Sequence, residues 1–416
     1  MPKNQNKISK YICCSCGIVS IFGKPISTNL TPKIQQPMDF NFTEEQLMIR
    51  DAARDFAQRE LITDVIERDA SAIYPTKHVQ RLAELGFLGM LVDPKYDGGG
   101  MDTVSYVLAM EEISKVDSSV SVIMSVNNSL VCYGIEKFAT EEQKEKFLKP
   151  LARGEKIGAF LLSEPDAGSD ATSQRTTAID MGDHYLVNGT KNWITNGDTA
   201  GTYLVIAQTD PEKKHKGINC LIVDRHAPGI SVGPHEDKMG MRSSDTHSVM
   251  FNDVKVPKEN RIGADGFGFT FAMKTLEGGR IGIASQALGI ASGAFERAVQ
   301  YAKERKAFGT YIANHQVIAF KLADMAVKIE NARNLCLKAA WLKDQGQPYG
   351  YASAMAKYYA AEIAMEVTTQ AVQIHGGYGY VKEYHVERLM REAKLTQIYE
   401  GTSEIQQIII SREVLK

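Results

Sequence analysis

Hydrophobic and polar positions follow three successive patterns along this chain. From Met38 to about residue 157 the period is helical. Thr43 and Gln46 form a capping box, Phe42 is placed to staple onto Leu47, and Met48, Ala52 and Phe56 recur at helical spacing. Pro75, Asp93-Pro94 and Gly98-Gly99-Gly100 punctuate the region, and a second capping box, Thr140 with Gln143, opens a short helix predicted to end near Gly154. From about residue 158 the helical period disappears. Asn188-Gly189 and Asn196-Gly197 read as hairpin-type turns, and β-rich runs cover Tyr203 to Thr209, Ile218 to Val223 and Ser248 to Val256. These predict a small antiparallel β domain, sandwich or barrel, ending near Gly263. Long helices return after Gly266. Ile318, Leu322, Met325, Ile329, Ala332 and Cys336 step by fours and threes, the seam of a helix bundle, and Gly346 with Pro348 ends that helix. Another runs from about Tyr351 to His375 and stops at Gly376-Gly377. The expected fold is mainly α with an inserted β domain. Its parts are an extension outside the fold (1–37), an N-terminal helical domain (38–157), a middle β domain (158–263) and a C-terminal four-helix bundle domain (264–416).

Composition narrows the class. The 416 residues carry a net charge of −2 and are 44% hydrophobic, an ordinary globular balance that lacks the basic excess of a nucleic-acid binder. No apolar run approaches the roughly 18 residues that span a bilayer. Cys13, Cys14 and Cys16 cluster near the start, while Cys132, Cys220 and Cys336 stand alone in apolar stretches, which fits a reducing compartment and packed thiols. The Cys13/Cys16 C-x-x-C pair has no second pair to complete a zinc site, so no metal is expected. The sequons at Asn127 and Asn188 read as chance matches. Residues 1–37 carry Lys3, Lys7, Lys10, Lys24 and Lys33 and no acidic residue before Asp39. Two readings of them stand: an organelle-targeting segment, placing the protein in the mitochondrial matrix, or an extension upstream of a start at Met38, placing it in a cytoplasm.

Chemistry concentrates near the end of the chain. In Tyr399-Glu400-Gly401-Thr402-Ser403-Glu404-Ile405 a carboxylate is followed by glycine and then by helix-starting residues. Ser403 with Gln406 fits a capping box ahead of Ile405, Ile408, Ile409 and Ile410. Glu400 is therefore expected on a loop just before a helix, where it is either a base for a substrate proton or a favourable charge at a helix dipole.

Four stretches bear on that choice: Leu162-Ser163-Glu164-Pro165-Asp166-Ala167-Gly168-Ser169-Asp170; Trp193-Ile194-Thr195; Arg305-Lys306-Ala307-Phe308-Gly309 on to Gln316; and Gln373-Ile374-His375-Gly376-Gly377-Tyr378-Gly379. Taken in this order on a helix–sheet–helix frame, the chain from Met38 to Lys416 resembles the acyl-CoA dehydrogenases, and among them the short-chain, butyryl-CoA-like group. The resemblance implies FAD-dependent α,β-dehydrogenation of a short-chain acyl-CoA to the trans-2-enoyl-CoA, with Glu400 removing the α-proton. So weak an acid demands stabilisation of the developing enolate by preorganised donors, in the family the backbone N–H of the catalytic Glu and a flavin ribityl hydroxyl. Burial beside the acyl chain is expected to raise the pKa of Glu400.

The same resemblance implies that Phe160, Leu162 and Ser163 line the flavin. Trp193, Ile194 and Thr195 cover its ring, with Thr402 and Glu404 nearby. Arg305, Phe308, Gln316, Gln373, Gly376 and Gly377 reach the FAD of a neighbouring subunit. Ser169, Glu277, Arg280 and Gly401 are expected at the substrate, and His375 is assigned only local packing. In isovaleryl-type and long-chain-type relatives the base precedes the Arg of a Leu-x-x-x-Arg stretch. Here that stretch is Leu276-Glu277-Gly278-Gly279-Arg280, with Gly279 at that position, which favours the short- or medium-chain arrangement. Glu277 stands where close short-chain relatives carry Asp. The implied partners are an electron-transfer flavoprotein and further copies of the chain in a homotetramer, a dimer of dimers. The competing readings are a dehydrogenase for branched isobutyryl-, 2-methylbutyryl- or isovaleryl-CoA, an acyl-CoA oxidase, and a catalytically silent relative, flavin-bound or DNA-binding.

Overall fold

The computed structural model describes residues 41–416. The extension expected at 1–37, with its C-x-x-C pair, lies outside the described residues. The first helix, α1 (Glu44–Arg59), starts as its sequence dictates: the Thr43 side chain accepts from the Gln46 N–H while the Gln46 side chain caps the Thr43 N–H. The same box forms at Thr140 and Gln143. Helices α2 (Thr103–Ser114) and α3 (Ser118–Ser125) are buried nearly all round. After α3 the chain widens into a π-helical stretch, Val126–Cys132, a distortion often kept for functional reasons. Asn127 lies in it, fully enclosed. Its side chain donates to the Leu88 carbonyl at 2.8 Å and accepts from the Gly158 N–H at 2.9 Å, fastening the first helices to the sheet.

The sheet has eight strands: β1 (Gly158–Leu161), β2 (Thr177–Asp180), β3 (His184–Thr195), β4 (Thr202–Gln208), β5 (Ile218–Asp224), β6 (Ile230–Val232), β7 (Thr246–Pro257) and β8 (Arg261–Ile262). Its order is β6-β7-β3-β2-β4-β5-β8, with β1 also paired to β4. Pairing is antiparallel except that β1 and β2 run parallel to β4. The three β-rich runs expected from sequence become β4, β5 and β7. Strands β4 and β5 read as unbroken apolar runs because both their faces are covered. Tyr203, Val205, Ala207, Leu221 and Val223 point into the sheet's own core, which they share with Val249, Phe251, Val254 and Val256 of β7. Leu204, Ile206, Cys220 and Ile222 point into the helical core. Strands near both ends of the order share one core, so the sheet curls on itself.

The turn signals need correction. Asn188-Gly189 is no hairpin: both residues lie inside β3, at a register shift where Gly189 adopts φ +142°. Asn196-Gly197 does turn the chain, but β3 and β4 do not pair; β2 lies between them.

Five helices complete the fold: α4 (Gly268–Glu304), α5 (Gln316–Asp344), α6 (Gly350–His375), α7 (Val386–Thr396) and α8 (Ser403–Val414). The seam expected on α5 faces inward: Met325, Ile329, Ala332 and Cys336 are buried, with Ile318 and Leu322 at its margin. α4 carries the core. Its Gly289 lets α2 approach so closely that a Cβ there would stand 2.5 Å from the Glu111 carbonyl. Cys132, Cys220 and Cys336 are buried free thiols. No helix among the described residues is long and apolar enough to cross a membrane.

Candidate active site

Three helices position the Glu400 loop. Glu400 itself holds φ +51° and Gly401 φ +94°, two successive left-handed residues. That conformation costs about 1 kcal/mol at a non-glycine residue and persists only where its surroundings enforce it. Here the enforcement comes from both sides. The Tyr399 hydroxyl donates to the Gln286 side chain on α4. On the other side the Gly401 carbonyl accepts from Lys357 Nζ of α6 at 2.7 Å and from Gln406 Nε2 of α8 at 2.8 Å. The expected capping box is displaced by one residue. Thr402, not Ser403, is the N-cap, and Gln406 turns back to the loop's carbonyl instead of the cap's N–H.

The carboxyl lies over α4. Its Oε2 is buried without a hydrogen-bond partner. It abuts Gly279 so closely that a Cβ there would come within 2.2 Å of it, and 2.7 Å from Leu130 of the π-helical stretch. Burial pushes its pKa up to about 7, against the pull of Lys357 and Arg280. Among the described residues no acceptor takes the Glu400 backbone N–H. Arg280 is 7% exposed, its Nε also lacks a partner, and burial depresses its pKa against the charges of Glu277 and Glu400. Glu277 faces Gly350, whose Cβ position is 3.3 Å from its carboxyl. A side chain at position 279 would thus enter the space that the Glu400 carboxyl fills.

The residues expected at the flavin lie at the end of β1, in β3 and beside Glu400. Phe160 stacks on Phe271 of α4, ring centres 6.4 Å apart. The Leu162 carbonyl accepts from Lys191 Nζ at 3.1 Å and the Ser163 carbonyl from the Asn192 N–H at 2.8 Å, tying the end of β1 to β3. A break in the β3/β7 register between Lys191 and Ile194 then throws Trp193 outward, 61% exposed at φ +61°. Ile194 turns into the sheet core, leaving its backbone for any ligand contact, while Thr195 is half-buried. Ser169 lies exposed on the loop after β1, and Thr402 and Glu404 flank Glu400.

A third group sits elsewhere. Arg305, Phe308, Gln316, Gln373, Gly376 and Gly377 are all exposed. The Arg305 guanidinium lies over the Tyr378 ring at 5.6 Å. Phe308 and Gly309 make the tight turn between Lys306–Ala307 and Thr310–Tyr311, both at positive φ, leaving the phenyl ring 96% exposed. Arg305, the C-cap just past the end of α4, follows Arg280 by 25 residues, roughly 37 Å at 1.5 Å per residue. One copy of the chain therefore does not bring this group to Glu400. His375 packs locally as expected, its Nδ1 2.7 Å from the Ala371 carbonyl and its ring stacked on Tyr301.

Three family descriptions match in chain order: acyl-CoA dehydrogenase N-terminal domain at 43–155, middle domain at 159–254 and C-terminal domain at 266–415. The short-chain-specific acyl-CoA dehydrogenase of Clostridium acetobutylicum is 50% identical over 91% of this chain and 100% of its own length. The chain belongs to the acyl-CoA dehydrogenase family. The butyryl-CoA dehydrogenase structure from Megasphaera elsdenii superposes with a TM-score of 0.90 at 48% identity, covering 91% of this chain and 100% of that one. A chain from a structure of the electron transferring flavoprotein of Acidaminococcus fermentans also superposes at 0.90, with 51% identity over 91% of this chain and 100% of its own.

As a member of this family the protein is an FAD-dependent oxidoreductase, and its residues fit that cofactor. Trp193 offers a flat ring held outward, and a Cβ at Gly376 or Gly377 would meet nothing within 4 Å, leaving room for a backbone approach. Lys357 escaped the sequence reading. Its signal was a lysine on the buried small-residue stripe of α6, between Ser353 and Ala360.

Proposed function

We propose that the protein dehydrogenates short-chain acyl-CoA thioesters at the α,β bond, with Glu400 as the base that takes the α-proton. The observation that carries this reading is the buried, unpartnered Glu400 Oε2, raised to about 7 by burial. A carboxyl that merely balanced a helix dipole would be solvated or bonded to the helix N–H groups. A base near neutrality is ionised in a substantial fraction of molecules at neutral pH yet retains affinity for the proton it takes. The free N–H of Glu400 is the donor in reach of the thioester oxygen, where charge develops as the α-proton leaves. Arg280, Glu277, Gly401 and Ser169 bind the substrate in this reading. When bound, FAD supplies the two-electron oxidising capacity that the chain's own side chains lack. Phe160, Leu162, Ser163, Trp193, Ile194, Thr195, Thr402 and Glu404 position it.

Arg305, Phe308, Gln316, Gln373, Gly376 and Gly377 serve the FAD of a second copy in the same proposal, within a homotetramer. The separation of this group from Glu400 along α4 supports it, as does the apolar outer face of α5, where Val317, Phe320 and Val327 are exposed. The division into 38–157, 158–263 and 264–416 belongs to the same reading. So does an electron-transfer flavoprotein as the acceptor of the electrons, to which the Acidaminococcus likeness lends support.

The test is anaerobic bleaching of the flavin by acyl-CoAs of graded length and branching, for wild type and Glu400→Gln. Butyryl-CoA should bleach the wild type fastest, and Glu400→Gln should keep its FAD while losing about 10²–10⁴-fold in rate. Full activity in Glu400→Gln would remove the base assignment. Preference for a branched thioester would retain the chemistry and change the substrate.

A further inference from the structure

Lys357 lies on the buried face of α6 with its side chain wholly enclosed, and donates to the Gly401 carbonyl. Gln406 already donates to that carbonyl, and an apolar side chain would fill the space without the cost of burying a charge. A buried ammonium at this point therefore calls for a further reason, and charge supplies one. Two cations act on Glu400, Lys357 and Arg280. The remaining titratable groups around them are Glu277 on α4 and Tyr349 at the start of α6, both beside Arg280, with Glu362 on α6, Glu404 on α8, Tyr106 on α2 and Tyr399 of the loop itself. Of the two cations, Lys357 is the one that bonds the backbone of the turn.

We infer that Lys357 is a positioning residue for Glu400: it fixes the left-handed turn through Gly401 and favours the ionised form of the carboxyl with an enclosed positive charge. The inference rests on Glu400 being the base. Burial brings Lys357 down to about 8, so its charge is present at pH 7. A cation beside a carboxyl lowers the carboxyl's pKa, so removing it must move the acid limb of the rate profile to higher pH.

The experiment measures kcat and kcat/KM for butyryl-CoA from pH 5.5 to 9.5 in wild-type and Lys357→Met holoenzymes, with FAD content and Tm recorded alongside. The expected result is an acid limb displaced upward by about one pH unit, a rate about fivefold lower at pH 7, and recovery toward the high-pH plateau by about pH 9. A purely structural lysine would lower the rate equally at every pH. An unmoved limb therefore overturns the inference, whatever happens to the plateau. Should Lys357→Met fail to fold, Lys357→Gln is read in the same way. The two readings fail separately. A fully active Glu400→Gln removes the base, whereas an inactive Glu400→Gln with an unmoved Lys357→Met limb removes only the role of Lys357.

Discussion

Glu164 accepts hydrogen bonds from Lys191 Nζ at 2.7 Å and from the backbone N–H groups of Arg175 and Thr176 at 2.6 and 3.0 Å; Glu400 Oε2 accepts none. Each carboxyl has an enclosed lysine nearby, and burial brings both lysines down to about 8. Burial also pushes both carboxyls upward. At Glu164, Lys191 and the backbone donors outweigh it and hold the group below the usual carboxylate range, whereas at Glu400 burial wins. The difference is where the lysine points. Lys191 bonds its carboxylate directly, while Lys357 bonds the carbonyl of the next residue and leaves the carboxylate bare. A saturated carboxyl holds structure together, and an unsaturated one keeps its lone pairs for a proton.

The comparison breaks most sharply at Glu164. Glu164→Leu removes the partner of a wholly buried lysine and two acceptors of backbone N–H groups. Denaturant unfolding should show a loss of about 3–5 kcal/mol, the range for stripping one member of a buried pair. Turnover per folded, FAD-loaded molecule should stay near wild type. A small stability change would mean that the pair at Glu164 is replaceable and that the contrast with Glu400 is not one of role.

Gly279→Ala tests the other half. A methyl at 279 overlaps the Glu400 carboxyl and Leu130, while the rest of the α4 backbone remains free to stay helical. The carboxyl is the flexible partner and must move. With Glu400 as the proposed base, a displacement near 1 Å costs on the order of 10²-fold in rate. The drop should fall in kcat, with FAD content close to wild type and Tm lowered by the repacking of Leu130. Undiminished kcat would show that the Glu400 carboxyl does not work from the place where it now rests.

These two positions also show how far the sequence could be read. Glu400 was legible because a carboxylate, a glycine and a helix start fall together, and because four spaced motifs resemble one family. Helix ends at Gly346 and Gly376 and the capping boxes at Thr43 and Thr140 were legible because each is settled within four residues. What failed depends on distant partners. Asn188-Gly189 has the composition of a turn, but pairing with both β2 and β7 holds it in a strand. Thr402 and Ser403 are equally good caps, and the choice is made by Lys357 and Gln406 gripping Gly401. Strands β1, β2, β6 and β8, two to four residues each, are too short to show a period. Lys357 was hidden because a lysine on an apolar stripe ordinarily reaches out to water.

The smallest effect sharpens the comparison through pH. Glu400 has a folded pKa of about 7 against an ordinary value of 4.5. Below 4.5 the carboxyl is protonated in both folded and unfolded chains and costs nothing. As pH rises toward 7 the unfolded chain releases its proton and the folded chain does not, so wild-type stability falls across that window and then levels. The side-chain amide of the Glu400→Gln variant has no proton to release in this range. Allowing for the partial exposure of the residue as a whole, Glu400→Gln should be more stable than wild type by about 1–2 kcal/mol at pH 8 and indistinguishable from it at pH 4.5. At Glu164 the sign reverses, because a depressed pKa contributes stability that is present above the ordinary value and lost as pH falls through the folded one. Unfolding of FAD-loaded wild type and Glu400→Gln at the two pH values decides it. Equal stability at pH 8 would mean that the Glu400 carboxylate is solvated after all, and the contrast with Glu164 would collapse to one of geometry alone.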